Sequence, residues 1–105
     1  MAASAPIRIH DEVAAALREG RPVVALETAV LTHGLPREPA PELVAVADAL
    51  WQADAPANLA LARAMERAVR EAGAVPATMA GLDGQLCAGL SPQEIDRLGL
   101  DRNAR

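Results

Sequence analysis

The sequence predicts an α/β protein: an incomplete α/β/α layered domain with a parallel strand core, a short hairpin, and helices on the faces. Apolar runs of strand length, 23–26 and 75–80, alternate with segments of helical periodicity, which implies parallel strands joined by right-handed crossovers. Two or three strands are too few for a complete sheet of this kind. We therefore expect residues 1–105 to form the N-terminal part of a single larger domain.

Local signals in the first half predict a helix, a strand and a second helix. Val13, Ala16 and Leu17 share one face of a helix over 11–19, and Gly20 caps its end. The valine-rich run 23–26 is expected to be a buried, parallel strand. The predicted second helix has Leu43, Val46, Ala47 and Leu50 at helical spacing and lies in a proline-bounded segment, 37–57, that is either an insertion or a local anomaly.

The second half predicts a long helix, a hairpin and a last short helix. Asn58 is the expected N-cap of the long helix. Its apolar stripe would be Leu61, Met65, Ala68, Val69 and Ala72, with Glu66–Arg70 and Arg67–Glu71 pairs on the outer face. A strand over 75–80 leads through an Asp83-Gly84 turn into a returning strand over 86–88. Ser91-Pro-Gln-Glu94 is a capping box that begins the last helix, anchored by Ile95 and Leu98.

Composition excludes several classes of partner. The 105-residue chain has a net charge of −4, a single aromatic residue and dispersed arginines, which argues against a nucleic-acid interface. No apolar run reaches the roughly 18 residues that a membrane span needs, and the N-terminus lacks the apolar segment of a signal peptide. The lone Cys87 cannot form an internal disulfide and is interpreted as a small core residue. We expect a cytoplasmic protein.

Glu27 is the candidate catalytic residue, because an apolar run delivers its carboxylate into the small polar cluster of Thr28, Thr32, His33 and Gly34. Burying a carboxylate there would be costly without compensation, and it would favour the protonated acid that can donate a proton near neutral pH. From spacing alone, a carboxylate that accepts backbone hydrogen bonds is the favoured interpretation. His33 is a weaker candidate, which could orient a ligand or Glu27 but more often would satisfy backbone groups in a turn.

Residues 10–12 carry a histidine and two acids but no metal-ligand spacing. We interpret His10, Asp11 and Glu12 as the entry to the first helix, and we predict no metal site in this chain.

Five motifs resemble the pseudouridine-5′-phosphate glycosidase family, in the same order along the chain. They are Arg-Pro-Val-Val-Ala-Leu-Glu-Thr at 21–28, Thr-His-Gly-Leu-Pro at 32–36, Ala-Gly-Ala-Val-Pro-Ala-Thr at 72–78, Gly-Leu-Asp-Gly at 81–84, and 89–99. The resemblance covers almost all of the chain but only the opening portion of the family's length. It implies an α/β enzyme that splits pseudouridine 5′-phosphate into uracil and ribose 5-phosphate, assembles as a homotrimer and uses a divalent metal, typically manganese. Glu27 matches the family's proton donor.

The reaction that the resemblance implies needs a lysine that this sequence does not contain. A C-glycoside has no heteroatom leaving group, so the implied route opens the ribose, forms an imine between a lysine and C1, and protonates the uracil carbon as the bond breaks. All ten basic residues are arginine, which stays protonated and cannot replace the lysine. We expect the amine to come from polypeptide outside this chain.

A second hypothesis is a non-catalytic α/β domain that acts by self-association or by docking on another protein. Its docking surface would be the apolar face formed by Leu43, Val46 and Leu50.

Overall fold

The computed structural model describes residues 7–28 and 56–101. In chain order the elements are β1 (Ile7–Ile9), α1 (Asp11–Arg18), β2 (Val23–Leu26), α2 (Ala57–Glu71), β3 (Val75–Leu82), β4 (Gln85–Ala88) and α3 (Pro92–Leu100). The predicted helix over 43–50, the segment 37–57 up to residue 55, and His33 lie outside the described residues.

The strands form one four-stranded sheet in the order β1-β4-β3-β2. β2 pairs with β3 in parallel, β3 pairs with β4 as an antiparallel hairpin, and β1 pairs with β4 in parallel. The expected parallel core and hairpin are confirmed, whereas β1 was not predicted. Its three residues are too few to show a period, and its partner strand lies near the other end of the sequence.

Helices lie on both faces of the sheet, which confirms the α/β/α layering. On one face, α1 contributes Val13 and Ala16 to a cluster with Val75 and Ala77 of β3, and Val23 packs against it. On the other face, α2 and α3 enclose the larger cluster, which consists of Leu59, Ala62, Ala80, Leu82, Cys87, Leu90, Ile95 and Leu98. Cys87 is 1% exposed, so its interpretation as a core residue is confirmed.

Pro76 occupies the second position of the central strand β3, where a missing N–H would normally break a ladder. The Val75 amide donates to the Pro22 carbonyl on the β2 side, so the nitrogen of the next residue faces the β4 side. There the ladder with β4 extends only as far as the Met79–Ala88 pair. The proline therefore costs no strand hydrogen bond.

The hairpin turn, the capping box and the glycine at the end of α1 are confirmed. Asp83 and Gly84 both have positive φ, 51° and 77°, as a tight hairpin turn of this type requires. Ser91 accepts from the Glu94 amide at 3.1 Å while the Glu94 carboxylate accepts from the Ser91 amide at 2.9 Å. Gly20, at φ 70°, follows the C-cap of α1.

Two predicted apolar faces are correct only in part. Leu17 is 57% exposed and does not belong to the buried face of α1. In α2 the buried residues lie in the first half, at positions 57–60, 62 and 64, whereas Ala68 and Ala72 of the predicted stripe are exposed. The first half is alanine-rich and packs between the sheet and α3, and such small side chains are buried by close approach on more than one side.

Asn58 is also not the N-cap of α2. Pro56 takes that position, and Asn58 is a fully buried residue of the first turn. Its Nδ2 donates to the Gly99 carbonyl at 2.8 Å and so ties the start of α2 to the end of α3. An asparagine that precedes a helical pattern suits both positions, and only the packing of α3 distinguishes them.

Candidate functional site

The candidate site begins at the carboxyl end of β2. β2 ends at Leu26, opposite Thr78 of the parallel strand β3, and Glu27 and Thr28 follow directly. Polar residues at the carboxyl ends of parallel strands are where open α/β sheets place their ligand contacts. Glu27 therefore lies where the sequence predicted it, directly after β2.

The environment of Glu27 differs from the prediction. Glu27 is exposed, and so are Val24 and Ala25 of β2, with Val24 at 40%. The expected burial of this strand and its carboxylate is therefore wrong for the described part of the chain. β2 is the edge strand of the sheet there, and no further strand among residues 7–28 and 56–101 covers its outer side.

A second carboxylate lies against β3, and sequence spacing missed it. Thr78 is 5% exposed, and its hydroxyl donates to Glu66 Oε2 of α2 at 2.6 Å. Glu66 was predicted to pair with Arg70 on the outer face of the helix. Arg70 instead reaches α1, where it donates two hydrogen bonds to Glu12, one of them 2.9 Å long. The only available signal was the inward position of Thr78 in the strand alternation.

A pocket of about 320 Å³ lies between α2 and α3. Its lining consists of Arg63, Glu66, Arg67, Arg70, Pro92 and Ile95. Arg63 forms an ion pair with Asp96, and the hydrogen bond from Arg70 holds the pKa of the Glu12 carboxyl below its ordinary value. The lining offers three arginines and one carboxylate, that of Glu66, but no lysine, serine, cysteine or histidine. Glu27 is not part of it.

The remaining candidates near the N-terminus are structural. His10 is the N-cap of α1, and its Nδ1 accepts from the Glu12 amide at 3.3 Å, which confirms residues 10–12 as a helix entry. In the two described ranges, no group of three or more His, Cys, Asp or Glu side chains could hold a metal ion. None of the helices in the described part of the chain is long and apolar enough to cross a membrane.

The sheet with helices on both sides defines a layered α/β protein. A family model, described as indigoidine synthase A like protein, matches residues 12–105. The chain belongs to this family.

Curated relatives and one solved structure are similar to the chain over most of its length. A pseudouridine-5′-phosphate glycosidase of Rhodospirillum centenum is 46% identical over 94% of this chain and 25% of its own length. The enzyme of that name from Myxococcus xanthus is 47% identical over 88% of this chain and 24% of its own. The chain is also similar to the crystal structure of the prealnumycin C-glycosynthase AlnA in complex with ribulose 5-phosphate, with a TM-score of 0.59 and 33% sequence identity. The match covers 96% of this chain and 26% of the chain in that crystal structure. The chain spans about a quarter of the length of these proteins.

Proposed function

We propose that a protein containing this chain cleaves the C–C glycosidic bond of pseudouridine 5′-phosphate, giving uracil and ribose 5-phosphate, with Glu27 as the proton donor. The observation that carries the proposal is the 46% identity, over nearly the whole chain, to a relative named for that activity. The position of Glu27 after a parallel strand supports the assignment of the acid, because ligands bind outside the carboxyl ends of such strands.

The proposed division of labour follows from the chemistry of the bond. The uracil carbon that separates from the ribose has to be protonated, and an amine has to hold C1 of the opened ribose as an imine. Glu27 would supply the proton. The amine would come from polypeptide outside this chain, because the sequence contains no lysine.

Manganese, the homotrimer and the cytoplasmic location are proposals for the complete protein. The described residues do not fit a metal, since no cluster of three ligating side chains is present in 7–28 or 56–101. We therefore derive no step through a metal ion. The docking alternative rested on Leu43, Val46 and Leu50, which lie outside the described residues, and no observation favours it here.

A chimera tests the proposal. The matching N-terminal segment of the Rhodospirillum centenum enzyme is replaced by this chain, and release of uracil from pseudouridine 5′-phosphate is followed chromatographically. We expect an active chimera in which Glu27→Gln lowers kcat by about 10²–10⁴-fold with little change in KM, as loss of a general acid does. Glu71→Gln is the matched control, because Glu71 is an exposed glutamate at the end of α2.

Three outcomes would contradict the proposal. An inactive chimera would show that this segment does not support the reaction. Full turnover by the Glu27→Gln chimera would remove Glu27 from the mechanism. Uracil release by the 105-residue chain alone would refute the requirement for a lysine.

A further inference from the structure

One part of the sheet presents apolar side chains to solvent. In the strand register, Ile7 of β1 is level with Leu86 of β4, and Leu86 is level with Gly81 of β3. One step along, Ile9, Ala88 and Met79 are level in the same way. Residues level across a sheet share a face, so these six residues form one surface, called here the open face. Ile7, Ile9 and Leu86 are 55%, 44% and 48% exposed.

The opposite face of the same strands is covered. Cys87 lies between two residues of the open face and points the other way, into the cluster under α2 and α3. Arg8, between Ile7 and Ile9, reaches the same side and pairs with Glu94 of α3 at 2.6 Å. β1 and β4 are therefore covered by helices on one side and exposed to solvent on the other.

α1 does not cover the open face, although it lies on that side of the sheet. Its buried residues, Val13 and Ala16, contact Val75 and Ala77 of β3 and the adjoining Val23 of β2. The helix layer therefore ends over the β2 side. At Gly81 a side-chain carbon would meet nothing within 4 Å, which leaves open space above the β3 side of the open face.

We propose that the open face is the packing surface for polypeptide of the same enzyme outside this chain, which presents the apolar side of a helix. Sheets with parallel strands are stable when helices cover both faces, and three aliphatic side chains exposed in one patch indicate a missing cover. The comparisons indicate where the covering polypeptide comes from. This chain matches about a quarter of the length of the relatives and of the solved structure, so about three quarters of each of those proteins lies outside the matched part. The inference rests on family membership and not on the proposed reaction.

Thiol labelling tests the cover in the chimera described above, independently of activity. Leu86→Cys is introduced into the 105-residue chain and into the chimera, and its rate of reaction with a maleimide is measured by mass spectrometry of the 79–90 region. Leu17→Cys is the matched control, because Leu17 is 57% exposed on α1 and is not one of the six residues of the open face. Cys87, 1% exposed, reports unfolding, since a buried thiol reacts only when the fold opens.

We expect Leu86→Cys to react at least about tenfold more slowly in the chimera than in the 105-residue chain, with Leu17→Cys unchanged. Where Cys87 also reacts in the 105-residue chain, the comparison is made within the chimera, and Leu86→Cys must still react about tenfold more slowly than Leu17→Cys. Equal rates at the two positions in the chimera would overturn the proposal. Protection of Leu86→Cys in the 105-residue chain that disappears on dilution would overturn it too, because a second copy would then be the cover.

Discussion

Gly89 leaves too little room for a side chain. It joins β4 to the last helix, has a φ of +93°, and donates its amide to the Thr78 carbonyl at 3.0 Å. A Cβ added here would lie 2.8 Å from both His10 Cβ and Val13 Cγ2, at the start of α1. Neither atom is the free end of a flexible chain, because both are attached close to the backbone of a packed helix terminus.

Gly89→Ala should therefore destabilise the fold through two separate effects. Positive φ costs a residue with a Cβ about 1–2 kcal/mol. Overpacking against α1 adds about 1–3 kcal/mol, so the expected total is about 2–5 kcal/mol. Single domains are stable by roughly 5–15 kcal/mol, so this one methyl group would remove a large share of the free energy of unfolding.

Gly73→Ala separates the two effects. Gly73 has nearly the same φ, +88°, but a Cβ there meets nothing within 4 Å. We expect it to show the backbone cost alone, about 1–2 kcal/mol. Urea unfolding of both variants, followed by circular dichroism at one protein concentration, gives the difference directly. Equal losses for the two substitutions would show that the close approach of Gly89 to α1 does not exist.

Two further predictions concern the contacts that hold α3. Asn58→Ala should lower the free energy of unfolding by about 1–3 kcal/mol in the same urea assay, because it leaves the Gly99 carbonyl without the buried amide donor; a neutral result would contradict the hydrogen bond. The hydrogen bond from Arg8 holds the pKa of the Glu94 carboxyl below its ordinary value, so the unfolded chain binds the proton more readily than the native one. That contribution is complete above about pH 4.3 and is lost as the pH falls through the lowered native pKa. Glu94→Gln should therefore weaken the acid dependence of unfolding, and an unchanged dependence would refute the assignment.

Features governed by neighbours in sequence were predictable. The hairpin turn depends only on Asp83 and Gly84 tolerating positive φ, and the capping box depends only on residues three apart. Strand 75–80 and the last helix followed from the same local rules. Each of these signals is complete within one element, so tertiary context had little to change.

Features governed by distant partners were not. The spacing of Glu66 and Arg70 predicts a pair along one helix. In the structure Glu66 accepts from Thr78 of β3, and Arg70 donates to Glu12 of α1. Such surface pairs contribute only about 0.3–0.5 kcal/mol, so a competing tertiary hydrogen bond readily displaces them. The predicted burial of β2 is wrong for a related reason. A run of valines predicts that a strand forms, but the position of that strand in the sheet decides whether it is covered.

The exposure of Glu27 and the open face lead to the same requirement. Protonation of carbon requires the acid to lie against the substrate, within hydrogen-bond reach of the atom that receives the proton. Glu27 lies in solvent beside the edge strand β2, while Ile7 and Leu86 lie in solvent at the other end of the sheet. If Glu27 is the acid, the polypeptide outside this chain has to cover the β2 edge as well as the open face. Completing the sheet and enclosing the acid would then be one event, because the same added polypeptide would cover both the open face and the carboxylate.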